Sequence, residues 1–334
     1  MRRPAVAHII LGVAMLSLSC SCGAEMQEWP GGSSSDNGIA NAHSTPAFAD
    51  RSLDATPKAE RALDLHSAAA LIWDQRAGQL LYAKDADHVR PIASLTKLMA
   101  AMVVLDSGSA LDQVIRIQTH DIDTLKRSSS RLRVGIELPR RELLKLALMA
   151  SENRAAAALA RSYPGGSSAF VAAMNRKARE LGMLNSNFVD PTGLHPANVS
   201  NATELAIMAN AAYQYPVIRQ FTTTRSELIK YSVSKPGRRG LLFRNSNRLV
   251  SHSDWDIGLS KTGYTREAGR CLVLQTSIAS KPVVIVLLNA YKKKSRLADA
   301  NHIREWLSET LGDHAISGQA AASTAPTRMT GRNG

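Results

Sequence analysis

An α+β fold is what this sequence predicts: a mostly antiparallel sheet flanked by helices, carrying an all-helical subdomain. Three observations lead there. Short runs of strand-forming residues lie near the start of the domain and again in its last third. Between them, apolar residues recur with helical spacing. Strands at both ends with helices between them argue for an α+β architecture whose sheet carries a helical insertion. The chain has 334 residues, 44% of them hydrophobic, enough for one large domain or two smaller ones.

In chain order, residues 1–24 read as a secretory signal peptide. Arg2-Arg3 supplies its charge, and the apolar run 9–18 is too short to span a bilayer. Cys22-Gly23-Ala24 offers small residues before a cut ahead of Glu25. A lipidated Cys20 or Cys22 is the alternative, against which Ser17 and Ser19 stand where a large aliphatic residue is usual. Cleavage leaves Cys271 as the only cysteine, so no intrachain disulfide is expected. Residues 25–64 are rich in Ser, Gly, Ala, Asp and Pro without periodicity and read as a flexible linker.

The folded domain is expected over 65–311. Residues 69–74 and 79–84 read as two strands around the turn Gln75-Arg76-Ala77-Gly78. A helix follows, with Leu95, Leu98, Met99, Met102 and Val103 on one apolar face, Pro91 near its start and Ser107-Gly108 at its end. Residues 115–117 make a short strand, and the polar 128–133 a loop over the site. Helices are expected over 140–150 and 154–162, broken by Tyr163-Pro164-Gly165-Gly166, then over 169–181 and 203–213. Asp190-Pro191-Thr192-Gly193 is a tight turn. Strands follow at 227–233, 257–262, 271–278 and 283–288, the last two joined by a turn at Ser280-Lys281-Pro282. A helix over 297–311 closes the domain, and 312–334 reads as a disordered tail.

Net charge is +13, but the basic residues are scattered and show no interleaving with aromatics, which argues against nucleic acid as a partner. A solvated basic face is the plain explanation. Attraction to an anionic polymer or membrane surface is the sharper one.

The chemistry gathers around Ser94-Leu95-Thr96-Lys97. Residues three apart on a helix are neighbours, so the Ser94 hydroxyl and the Lys97 amine should lie side by side. A serine needs a base to become a nucleophile, and a lysine can serve only with a lowered pKa. A short pattern recurs by chance: 232–235 is a second Ser-x-x-Lys, and Ser35-Asp36-Asn37 lies in the linker. Two further stretches give the first copy weight. Ser151-Glu152-Asn153 follows an apolar run, and Lys261-Thr262-Gly263 follows a predicted strand. Ser-x-x-Lys, Ser-Asp-Asn and Lys-Thr-Gly in that order form the signature set of penicillin-binding proteins and class A β-lactamases. Taken alone, Ser151 and Asn153 also suit a helix cap, and Lys261-Thr262-Gly263 a strand end.

On these motifs, with Tyr163-Pro-Gly-Gly, Pro191-Thr-Gly-Leu and Lys261-Thr-Gly-Tyr-Thr, the chain resembles the low-molecular-mass penicillin-binding proteins, nearest their D-alanyl-D-alanine endopeptidase branch. The resemblance implies the penicillin-binding/β-lactamase-like transpeptidase fold and a serine peptidase that cuts D-alanyl cross-links in peptidoglycan. It implies Ser94 as nucleophile, Lys97 as its base and Ser151 as proton relay. Asn153, Lys261, Thr262, Gly263 and Tyr264 would bind substrate, with the amides of Ser94 and Tyr264 as oxyanion hole. Lys261 would also depress the Lys97 pKa, and Gly263 would keep the strand bare for substrate. No cofactor or metal is expected. Cross-linked peptides would be the substrate and β-lactam antibiotics covalent inhibitors, in the periplasm, with at most loose membrane association. The carboxypeptidase relatives usually add a C-terminal β domain and an anchoring helix, which the residues after Gly263 do not suggest.

Three rival readings fit the residues less well. A class A β-lactamase needs a deacylating glutamate four residues before an asparagine, but Glu180 is followed there by Leu184. The nine histidines form no His-Glu-x-x-His, which disfavours a zinc peptidase. A non-catalytic peptidoglycan-binding module would not need the Ser94/Lys97 pair. A D-alanyl-D-alanine carboxypeptidase remains the alternative activity.

Overall fold

The computed structural model describes residues 63–231, 239–292 and 294–323. The signal peptide, both decoy motifs and most of the linker lie outside them.

Strands β1 (Ser67–Asp74) and β2 (Gln79–Lys84) form the predicted opening hairpin. The short β3 (Arg90–Pro91) leads into a 3-10 turn, Ala93–Leu95, and helix α1 (Thr96–Asp106). Next come β4 (Val114–Arg116), β5 (Glu137–Pro139), α2 (Arg140–Met149), α3 (Asn153–Arg161) and α4 (Gly166–Glu180). The two-residue β6 (Val199–Ser200) pairs with β3, and α5 (Ala202–Tyr213), α6 (Pro216–Thr223), β7 (Ser226–Tyr231) and β8 (Arg239–Arg244) follow. The chain then runs through β9 (Asp256–Thr265), β10 (Gly269–Ile278), β11 (Lys281–Ala290) and α7 (Ser295–Ser323).

The main sheet has the order β2-β1-β11-β10-β9, and every pairing in it is antiparallel. The first strands of the domain thus pair with the last, as the α+β reading requires. Strand β11 lies at its centre and is buried on both faces. Val284, Val286 and Leu288 face one cluster with α1 and α5, whereas Val283, Ile285 and Leu287 face another with Ala300, Ile303 and Leu307 of α7. This two-sided burial explains why β11 reads as an unbroken apolar run rather than an alternating one. Helix α1 is buried all round from Thr96 to Val104, not only along its predicted stripe. The buried Asp299 ties α7 to β1, accepting from Ser67 N at 2.8 Å and from Ser67 Oγ at 2.6 Å.

Two expectations change, and two longer elements appear that the sequence reading lacks. Helix α5 ends at Tyr213, as expected, and Pro216 opens one of the additional elements, α6, where its missing N–H costs nothing. The other additional element is β8, whose Phe243 is buried while Leu242 is exposed. The last hairpin turns at Ala279-Ser280, both with positive φ (47° and 62°), so Lys281 and Pro282 already belong to β11. Finally, α7 continues past 311 to Ser323. The alanine-rich sequence there favours helix, so the tail does not begin at Gly312.

Candidate active site

The 3-10 turn Ala93–Leu95 places Ser94 just ahead of α1, and Lys97 lies one turn later, 1% exposed. Lys97 Nζ is 2.9 Å from Ser94 Oγ, 2.8 Å from Asn153 Oδ1 and 2.6 Å from the carbonyl oxygen of Thr192. Asn153 opens α3, and its Nδ2 donates to Ser128 Oγ at 2.9 Å. Ser151 stands between α2 and α3 with φ +59°, a left-handed conformation costly for a residue with a Cβ.

Burial lowers the Lys97 pKa to about 7, against the opposing charges of Asp190 and Glu152. Burial, rather than Lys261, is the leading cause of this shift. Lys261, 1% exposed on β9, is itself held well below the ordinary lysine value, by burial first, then by Lys97 and Arg296. Its Nζ donates to the Thr262 carbonyl at 2.9 Å. Thr262 Oγ1 donates to Ser246 Oγ at 2.8 Å, and Tyr264 is 58% exposed with Arg270 4.6 Å above its ring.

Gly263 faces inward. A Cβ there would lie 3.0 Å from Ile92 O, 3.1 Å from Ala93 Cβ and 3.1 Å from Ser94 N. Its bareness therefore lets β9 pack against the turn carrying Ser94, where a role toward substrate had been expected. On the other side, the turn 190–193 presses on the same backbone. Asp190 gathers this turn: Oδ1 accepts from Thr192 N (2.6 Å), Thr192 Oγ1 (2.5 Å) and Gly193 N (2.8 Å), and Oδ2 from His195 N (2.9 Å). Burial opposes the Asp190 carboxylate, but these hydrogen bonds outweigh it and hold its pKa below the ordinary value.

Lys97 meets Ser94 directly, Asn153 meets it through Lys97, and Gly263 packs against its backbone, with Lys261, Thr262 and Tyr264 on the same stretch of β9 and Ser151 two residues before Asn153. Sequence reasoning missed the carbonyl of Thr192, the collar of Asp190, Ser128, Ser246 and Arg296, whose Nη1 donates to Gly263 O at 2.9 Å and Cys271 O at 3.2 Å. The Asp-Pro-Thr-Gly stretch was visible as a turn and 128–133 as a loop over the site; no local pattern signals Ser246 or Arg296. A cavity of about 490 Å³ opens beside Asn153 and Thr192, lined also by His120, Leu125 and Leu194.

Comparison with known proteins decides the family. The family model for D-alanyl-D-alanine carboxypeptidases matches residues 55–292. The chain belongs to this family of serine peptidases. Within it, the chain is 48% identical over 259 residues to the D-alanyl-D-alanine endopeptidase of Pseudomonas aeruginosa, covering 78% of this chain and 82% of that one. It is 46% identical over 244 residues to the D-alanyl-D-alanine endopeptidase of Escherichia coli, covering 73% and 78%. Among solved structures, the Streptomyces K15 DD-transpeptidase superposes with a TM-score of 0.68 at 30% identity, covering 72% of this chain and 97% of that one. Members of this family act on peptidoglycan outside the cytoplasm.

Proposed function

We propose that this protein is a serine DD-endopeptidase that hydrolyses D-alanyl cross-links of peptidoglycan and is acylated by penicillin. One observation carries the mechanism: the three partners of Lys97 Nζ. Two of them, Asn153 Oδ1 and Thr192 O, can only accept. They occupy both N–H groups of a neutral amine and leave its lone pair facing Ser94 Oγ. With its pKa at about 7, Lys97 is neutral in about half of the molecules at neutral pH, against roughly one in three thousand for an ordinary lysine.

The reaction follows from this. Ser94 Oγ attacks the D-alanyl carbonyl as its proton passes to Lys97. A C–O bond forms, and the carbonyl oxygen gains negative charge facing the amides of Ser94 and Tyr264. The C–N bond then breaks as a proton returns through Ser151 to the leaving amine. Water attacks the acyl-enzyme and frees Ser94. Lys261, Thr262 and Arg296 form a cationic, hydroxyl-bearing side that suits the carboxylate of the leaving residue. The cavity beside Asn153 gives space to the acyl-side peptide.

The endopeptidase reading over the carboxypeptidase one is supported by the two relatives at 48% and 46% identity. Export by a cleaved signal peptide, with action in the periplasm, accompanies it. Labelled penicillin should attach to the wild type and not to Ser94→Ala. Cross-linked dimers offered together with uncross-linked pentapeptides should yield cleaved dimers. Release of free D-alanine with dimers intact would establish the carboxypeptidase instead.

A further inference from the structure

The segment between β4 and β5 is tied to α3, to β8 and to the turn between β9 and β10. Asp123 gathers its turn, accepting from Leu125 N and Lys126 N at 2.9 Å and from Ser128 N at 2.7 Å. Three side-chain links then fasten it. Ser128 accepts from Asn153. Arg131 donates to the Leu242 carbonyl at 2.6 Å and lays its guanidinium 4.0 Å from the centre of the Phe243 ring on β8. Lys126 Nζ meets Glu267 Oε1 at 2.5 Å, in the turn between β9 and β10.

The last two links bracket one stretch of β9. The chain leaving β8 reaches Thr262 through Ser246, and Glu267 lies two residues beyond the end of β9. Strand β9 is an outer strand of the sheet, paired only with β10. Its free edge is where an extended peptide can add alongside Lys261–Tyr264. A peptide lying there would pass beneath 126–131.

We infer that Lys126 and Glu267 form a latch that determines which substrates reach Ser94, and that it opens to admit a peptide anchored at both ends. The inference rests on the endopeptidase reading. A peptide with a free end can thread beneath a closed strap. A cross-link is held in the polymer on both sides and has no end to thread, so it must enter sideways. Of the three links, the ion pair is the one suited to open. Its side chains are 31% and 35% exposed, and exposed pairs are weak and screened by salt. The bond from Lys126 holds the Glu267 carboxyl near a pKa of about 2, so the pair stays charged throughout the working pH range.

The test compares wild type, Glu267→Gln, Glu267→Lys and the double charge swap Lys126→Glu/Glu267→Lys. Two rates are read for each: kcat/KM on purified cross-linked wall polymer, with products identified by mass, and acylation by a small labelled penicillin. Glu267→Gln and Glu267→Lys should raise the polymer rate by about two- to fivefold, the range that an exposed ion pair spans. The double swap should return it to the wild-type value, and penicillin acylation should stay unchanged throughout. Added salt should narrow the gap between wild type and Glu267→Gln. Unchanged polymer rates in both single variants overturn the latch. A penicillin rate that rises in step overturns it too, because the pair would then act on the site itself. If every form is acylated and none cuts the polymer, the endopeptidase reading fails and the latch falls with it.

Discussion

Adding one methyl group at Gly193 tests how Ser94 is held. Gly193 has φ +80°, and its Cβ would lie 1.9 Å from Ala93 O, 2.4 Å from Ala93 C and 2.9 Å from Ser94 N. These are backbone atoms, so no side chain can swing aside. The left-handed conformation costs an L-residue about 1–2 kcal/mol. Overpacking adds about 1–3 kcal/mol. The sum, roughly 2–5 kcal/mol, is less than the 5–15 kcal/mol stability usual for a domain, so a folded population is expected at low temperature. Relief is costly for the site. A carbon–oxygen contact normally needs about 3.3 Å, so the turn and the Ala93–Ser94 backbone must part by more than about 1 Å. That movement carries Thr192 O away from Lys97 and Ser94 away from its base. A 1 Å misplacement costs about 100-fold in rate. Acylation of Gly193→Ala by fluorescent penicillin, measured beside urea unfolding, should therefore fall about 100-fold, with a lower midpoint and an unchanged slope. A folded variant acylated within about threefold of wild type would refute the reasoning.

Other predictions concern the buried ionisable groups. Acylation should fall about tenfold per pH unit below about 7, because Lys97 is then protonated and has no lone pair for the Ser94 proton. Glu152→Gln removes a carboxylate that favours the charged form of Lys97, so this acid limb should move to lower pH; a limb that stays or rises contradicts the assignment. Cys271 is fully buried, its thiol pushed up to about 11 by burial, so Cys271→Ala should cost about 1 kcal/mol in a melt and leave acylation within about twofold. Loss of acylation without unfolding would give that thiol a chemical role. A penicillin methyl ester should acylate more slowly than the free acid, with its acid limb at higher pH; identical profiles would remove Lys261 from the proton balance.

Much of this was legible because it is local. The Ser94–Lys97 neighbourhood follows from helical spacing, and the three triplets announce the reacting groups by type and order. Strands at both ends indicated the α+β architecture, whereas the pairing of β1 with β11 came only with the structure. What escaped the sequence is what packing alone decides. Gly263 looked like a bare strip for substrate, whereas its Cβ position is filled by Ile92, Ala93 and Ser94. Thr192 contributes a backbone carbonyl, and no side-chain pattern announces one. Arg296 lies 35 residues after Lys261 on a helix that only the assembled sheet brings near. Helix α6 and strand β8 escaped because what fixes them is the tertiary burial of Ile218, Phe221 and Phe243.

The two lysines also change the expected division of labour. A site with Lys97, Lys261 and Arg296 all charged would bury three cations together, and desolvation alone disfavours that. Burial lowers both lysines, against the carboxylates of Asp190 and Glu152 in the case of Lys97, and Lys261 is lowered in part by Lys97 itself. Of the two, Lys97 is the better placed to hold a proton, because Asn153, Thr192 and the charges of Asp190 and Glu152 support it. Lys261 has only its neighbour's carbonyl. An incoming carboxylate beside Lys261 reverses that preference. It stabilises the Lys261 ammonium, and the growing charge there weakens the case for a second one on Lys97. Substrate binding thus helps to produce the neutral base that attacks it. A ligand without the carboxylate must wait for solvent pH to do so, which is why its acid limb should lie higher. The same logic explains why both lysines are buried. Exposed, each would stay charged, and neither would respond to the arrival of the other's partner.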